Sequence, residues 1–130
     1  MKTVTIKDES LTGQLISEIE VALENERITV KELITARVYA EVEAYNQKLP
    51  EYFNGLVQPN DAEKTLNGYK LKQKRTIDPE KQVYIAWDAF QKNGYFVLVD
   101  DEQAESLEQE VLISDSTSIS FVKLTPLVGG

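Results

Sequence analysis

At Thr29 the spacing of apolar residues changes, and that change restricts the fold more than any other feature. Before it the chain alternates. Val4 and Ile6 share one face of residues 3–7, and Ser10-Leu11-Thr12-Gly13 reads as a turn. Leu15, Ile19, Val21 and Leu23 then share one side, opposite Glu18, Glu20, Ala22 and Glu24, with Ser17 interrupting the apolar set. Two period-2 runs around a short glycine-containing loop predict a β-hairpin with one acidic, solvated face. From Thr29 the period is helical. Thr29 and Glu32 form a capping-box pair, and Ile28 and Leu33 are placed as a hydrophobic staple. Val30, Ile34, Val38, Val42, Tyr45 and Leu49 recur at helical spacing. The helix is expected over Val30–Lys48, ending before Pro50 because the residue ahead of a proline resists the α conformation.

The next stretch is interrupted by Pro50, Asn54-Gly55, Pro59-Asn60-Asp61 and Asn67-Gly68. Tyr69–Gln73 reads as a short strand. The basic run Lys70, Lys72, Lys74 and Arg75 around it reads as a solvated edge, where lysines discourage aggregation. A second helix opens at Asp78-Pro79, with aspartate as cap and proline at the first helical position. Val83, Ala86, Trp87 and Phe90 form its inward stripe, and Asn93-Gly94 ends it. Tyr95–Val99 is apolar on both faces and reads as a central strand, closed by Asp100-Asp101-Glu102. Residues 103–110 are acidic and ambiguous. Val111–Ile113 is a short strand, residues 114–118 a polar turn, and Ile119–Leu124 the last strand. The expected organisation is a single α+β domain over residues 1–124, with 50–94 as an insertion carrying the second helix and 125–130 as a flexible tail.

Composition removes several chemistries. The 130 residues contain no cysteine and no histidine. Disulfides, thiolate nucleophiles, the common zinc sites and the usual base near neutral pH are therefore absent. A net charge of −8 disfavours nucleic acid and anionic membranes as partners and suits a basic protein partner. With no long apolar run or signal-like start, a cytoplasmic location is expected. Asp100-Asp101-Glu102 and the Glu18/Glu20 pair are the only carboxylate groupings that suggest metal binding or acid–base work. Acidic loops and solvated strand faces are far commoner, so neither a catalytic residue nor a metal site is assigned.

The sequence closes on Thr125-Pro126-Leu127-Val128-Gly129-Gly130. Pro126 cannot donate to a sheet ladder and marks the end of pairing. Six extended residues reach about 20 Å. Glycine lacks a Cβ and passes through a channel too narrow for side chains, so Gly129 and Gly130 offer a carboxylate that an enzyme can reach.

The order of hairpin, long capped helix and later strands, ending in a strand that leads to Gly-Gly, resembles the β-grasp or ubiquitin-like fold. Residues 3–34 look like the opening of ubiquitin, with its strand, Thr-Gly turn, second strand and capped helix. Phe121, Pro126, Gly129 and Gly130 stand where the sulfur carriers of molybdopterin and thiamine biosynthesis have their terminal strand, proline exit and diglycine. The tail after Phe121 is about two residues longer than in those carriers, and residues 50–94 have no counterpart in either group. The whole pattern is similar to bacterial ubiquitin-like modifiers that accompany activating, conjugating and isopeptidase enzymes.

The resemblance implies a mixed sheet crossed by one long helix, and a protein modifier. An activating enzyme using ATP and magnesium would adenylate the Gly130 carboxylate and pass it through a thioester to an amine on a target protein. No cofactor is bound by the chain itself. A sulfur carrier with a C-terminal thiocarboxylate shares the first step and remains open, as does an acidic interaction domain in which Gly-Gly is incidental. Self-association through the insertion is also open. By analogy with the family, the docking candidates are Phe121, Leu124, Leu127 and Val128, with core packing the competing expectation for Phe121.

Overall fold

A computed structural model of the chain describes residues 2–124. The tail residues Leu127, Val128, Gly129 and Gly130 lie outside the described residues. Strand β1 (Lys2–Glu9) and strand β2 (Leu15–Leu23) form the expected hairpin, and a third short strand, β3 (Arg27–Thr29), leads into helix α1 (Val30–Lys48). The helix has the predicted ends. Thr29 accepts from the Glu32 N–H while the Glu32 carboxylate accepts from the Thr29 N–H, closing the capping box. The staple residues Ile28 and Leu33 are both buried. Two further N–H groups of the first turn, of Val30 and Lys31, donate to the carbonyls of Gln109 and Leu107, so a crossing loop supplies acceptors the helix lacks. At the far end Leu49 turns left-handed, and its N–H closes on Tyr45.

After α1 come the hairpin β4 (Ala62–Thr65) and β5 (Gly68–Leu71), helix α2 (Pro79–Gln91), strand β6 (Tyr95–Val99), and the short strands β7 (Glu102–Gln103) and β8 (Glu110–Leu112). The last strand is β9 (Ile119–Lys123). The main sheet has the order β2-β1-β9-β6-β7. β1 and β9 run parallel and every other pair antiparallel, so the sheet is mixed. β3 pairs with β8, and β4 with β5, in two small sheets of their own.

The helix stripe Val30, Ile34, Val38, Val42 and Tyr45 is buried in one cluster with Val4, Ile6, Val21 and Phe121. Ile19 and Leu49 pack partly buried against it. α2 lies beside α1 and reaches β6. Its cap is Asp78 with Pro79 at the first position. Val83, Ala86 and Phe90 face the core, as expected. The basic run around β5 is exposed, and Lys70 reaches Glu51.

Several expectations change. Leu15, placed by alternation on the apolar side of the hairpin, is 51% exposed. A bulge explains it: Asp8 pairs with Ser17 but Glu9 with Leu15, so Ile16 is an extra residue and the alternation stops there. Trp87 is only half-buried, because the inward positions of α2 go to Val83, Ala86, Phe90 and the polar Gln82, whose amide donates to the Val57 carbonyl at 2.8 Å. Trp87 instead sits between the helices, its indole N–H on Thr35 Oγ1 and the Lys31 ammonium 4.3 Å above its ring. β6 does lie inside the sheet, but its outer neighbour β7 is two residues long. Asp100-Asp101, both left-handed, make the tight turn between them. Strands β3, β4 and β7 are additions to the expected set. Among the described residues, no helix is long and apolar enough to cross a membrane.

Candidate functional site: the end of the last strand

The parallel pairing of β1 with β9 carries the last strand down the middle of the sheet to the end where β1 turns into β2. Ile6 pairs with Ile119 and Glu9 with Val122. Phe121 faces the core, fully buried and stacked on Tyr95 at 5.8 Å. Packing therefore claims it, and it offers no docking surface. Leu124, half-buried at the strand's end, does reach the surface. The other candidates, Leu127, Val128, Gly129 and Gly130, lie beyond the described residues.

Beneath this end of β9 is a buried group of charges. Arg37 of α1 faces the sheet, 1% exposed, with its guanidinium carbon 4.6 Å from the Phe121 ring centre. Nη1 donates to Asp8 Oδ1 and Nη2 to Asp8 Oδ2 at 2.6 Å, the two-pronged geometry that suits a carboxylate. Nε donates to Glu41 Oε1 at 2.7 Å, one helical turn on. The other Glu41 oxygen accepts the Leu56 N–H at 2.7 Å. Lys123 of β9 brings its ammonium 3.5 Å from Asp8 Oδ2 and donates to the Gly55 carbonyl at 3.4 Å. Ser17 donates to Asp8 Oδ2. Two carboxylates thus meet two cations, and among the described residues no buried side-chain nitrogen or oxygen lacks a partner. Gly55 makes room for this arrangement, since a Cβ there would lie 2.5 Å from Glu41 Oε2 and run into the Phe53 ring.

The environments push the two acids apart. Desolvation raises the Asp8 carboxyl, but the Arg37 hydrogen bonds and charge outweigh it and hold the group below the usual range. At Glu41 the balance goes the other way, and burial lifts it above the usual range despite Arg37 and Lys123. The Tyr95 phenol, donating to the Ala86 carbonyl, is pushed up by burial as well.

Nothing in the cluster is arranged for turnover. Its groups satisfy one another and join five pieces: β1, β2, α1, β9 and the loop at residues 55–56. The cluster is partly legible in the sequence. Asp8 continues the inward phase of Val4 and Ile6, and Arg37 and Glu41 flank the apolar stripe of α1 at i,i+4 spacing. Charged residues in inward phase on two elements that pack together are the signal for such a pair. Asp100-Asp101 forms a turn in which Asp100 accepts from the Ser118 N–H. Glu18 and Glu20 are strand residues on the solvated face. Among the described residues no group of acids is placed to hold a metal.

Beside the cluster, past Ser17, Gly55 and Lys123, opens a cleft of about 490 Å³ between the start of β2 and the β4–β5 hairpin, with Lys123 and Leu124 in its wall; Asp8, Arg37 and Glu41 themselves line a separate hollow. Comparison with protein-family models, curated proteins and solved structures finds no match.

Proposed function

We propose that the chain is a β-grasp, ubiquitin-like protein modifier whose Gly130 carboxylate is activated and transferred. The observation that carries this reading is the strand arrangement. The first and last strands are parallel neighbours at the centre of the mixed sheet, the capped helix follows the opening hairpin, and β9 ends at Lys123 at the end of the sheet where β1 turns into β2. The β-grasp resemblance drawn from the sequence implies an arrangement of this kind, so the order supports it. The extra hairpin and α2 then form a segment set into the connection between α1 and β6. The self-satisfied charge cluster fits a protein that supplies an acyl group and a docking face and leaves catalysis to its partners.

In the proposed chemistry the Gly130 carboxylate attacks the α-phosphorus of ATP, forming an acyl-adenylate and releasing pyrophosphate. A cysteine thiolate of the activating enzyme displaces AMP to give a thioester. A target amine displaces the thiol and forms an amide. A conjugating enzyme can relay the thioester, and an isopeptidase can hydrolyse the amide.

The test mixes the purified protein with a candidate ATP-dependent activating enzyme, ATP and magnesium. Pyrophosphate release and a protein–enzyme adduct cleaved by dithiothreitol are expected. Removal of Gly129 and Gly130 abolishes both and leaves the melting temperature unchanged, because two side-chain-free residues at a chain terminus generally add little to a fold. Gly129→Ala weakens transfer through its added Cβ. A thiocarboxylate at Gly130 in place of an amide-linked target assigns the chain to the sulfur carriers instead. Full activity without the two glycines rejects both readings and leaves an acidic interaction domain.

A further inference from the structure

The exposed apolar side chains are unevenly placed. Ile16, 51% exposed, and Leu66, 84% exposed, stand on opposite walls of the cleft beside β9. Each is displayed by a defined local structure. Ile16 is the extra residue of the bulge that breaks the hairpin alternation. Leu66 occupies the two-residue turn between β4 and β5, where Thr65 pairs with Gly68. That hairpin is pinned to the body. Phe53 and Tyr69 exchange two backbone hydrogen bonds at 2.8 and 2.9 Å, and Gly68 adopts a φ of +128° against Asn54. A large apolar side chain held out on a pinned turn contributes nothing to this core, and a partner need not order the loop before binding it.

Charge distinguishes the same place. The chain carries a net −8, yet the cleft holds two lysines. Lys123 is committed to Asp8 and the Gly55 carbonyl, whereas Lys64 is exposed on the β4 wall.

We propose that this cleft is the docking site for the activating enzyme, which seats an apolar side chain between Ile16 and Leu66 and sets a carboxylate against Lys64. The inference rests on the modifier reading. Its second support is reach. Leu124 lines the cleft, and the six residues from it to Gly130 span at most about 20 Å. An enzyme holding the Gly130 carboxylate in its active site therefore meets this end of the body. Leu66 and Lys64 belong to the hairpin within the inserted segment. That segment thereby restricts activation to an enzyme shaped for it.

The experiment measures ATP–pyrophosphate exchange by the activating enzyme that adenylates this chain, as a function of the concentration of the intact protein. Leu66→Ser and Ile16→Ser each raise KM about tenfold, the size expected for a central anchor, with kcat unchanged because the tail still reacts normally once bound. Lys64→Glu raises KM by severalfold, and added salt narrows its difference from wild type. All three keep the wild-type melting temperature, which separates lost docking from lost folding. A synthetic peptide of residues 125–130 is a poor substrate, with KM far above that of the whole protein. Wild-type KM in the Leu66→Ser/Ile16→Ser double variant, alongside normal turnover, overturns the docking site and leaves the modifier reading standing. A peptide as good as the whole protein does the same. A wild-type protein that is never adenylated overturns both.

Discussion

The first fifty residues and the segment from 50 to 94 are held by different physics. In the first, a hairpin and a helix bury complementary apolar faces, and each inward position is fixed by a period of two or 3.6. In the second, residues 50–77 repeat at no period before α2 restores the helical one, and that stretch is pinned at separate points by side chains of α1 and α2. Glu41 holds the Leu56 N–H. Asn46 takes both the N–H and the carbonyl of Ile77. Tyr45 meets the Phe53 ring edge-on at 5.3 Å, and Gln82 holds the Val57 carbonyl. Three of these anchors sit on the last two turns of α1. One helix thus presents an apolar face to the sheet and a polar set to the segment, which takes its place from that set.

The largest expected effect falls where the two regimes meet. Arg37→Ala leaves Glu41 buried without its hydrogen-bonded cation and Asp8 with Lys123 alone, and should cost about 3–5 kcal/mol, read as the shift in urea midpoint. Because Glu41 also holds Leu56, the loop at 55–56 should loosen with it. Ile34→Ala lies wholly inside the first regime. It should cost about 3 kcal/mol by cavity formation alone, and its effect should spread evenly over the molecule. If Ile34→Ala loosened residues 50–77 more than it loosened the sheet, the contrast between the two regions would fail.

Asn46→Ala should cost less, about 1–3 kcal/mol, the penalty for stranding the Ile77 backbone groups. Its signature is local: faster hydrogen exchange around residues 50–77 while β1 and β9 keep their protection. Equal loss of protection everywhere would mean the segment is not separately anchored.

This contrast also explains what can be read from sequence alone. The ends of α1, its cap and its stripe follow from local rules, and those rules agree with the tertiary packing. β9 can be placed because Ile119 and Phe121 alternate with Ser120 and Val122. The short strand expected at Val111–Ile113 is β8, but its partner β3 is three residues long and has no period to show; Ile28 and Val111 meet because the chain returns over the start of α1. Helical phase alone points Trp87 inward, but α2 packs against α1 as well as the sheet, which rotates the buried side toward Gln82. The strand's end is legible to within one residue from Pro126, since β9 stops at Lys123 where Leu124 is expected. The cleft is not, since its walls come from turns fifty residues apart, each exposing one apolar side chain for a separate local reason.

Titration probes the junction with opposite signs. Asp8, held low, contributes stability above its ordinary unfolded value that is lost as pH falls through its folded one. Glu41, held high, contributes stability that is complete below its unfolded value and is lost as pH rises through its folded one. The stability of wild type relative to Glu41→Gln should therefore decline as pH rises above about 4. Relative to Asp8→Asn, it should climb as pH rises from strongly acid to mildly acid values. Melting temperatures across that range decide it, and a Glu41 difference that grew with pH would show Arg37 prevailing over burial.

The smallest effect is sought at the contact between the helices. Lys31 stands over the Trp87 ring, and the indole N–H reaches Thr35, so α1 grips α2 from its outer side. An exposed cation–π contact contributes about 0.5–1 kcal/mol, and Lys31→Ala should cost no more. Trp87 is the only tryptophan, so its fluorescence reports this contact alone. A half-buried indole beside an ammonium should emit at wavelengths between those of core and solvated tryptophan, and loss of Lys31 should change its yield with little change in stability. If Lys31→Ala instead cost several kcal/mol, the grip would belong to the cooperative core, and α2 would join the first region rather than the second. An unchanged spectrum, with unchanged stability, would mean that α2 is held by Val83, Ala86 and Phe90 without help from the outer contact.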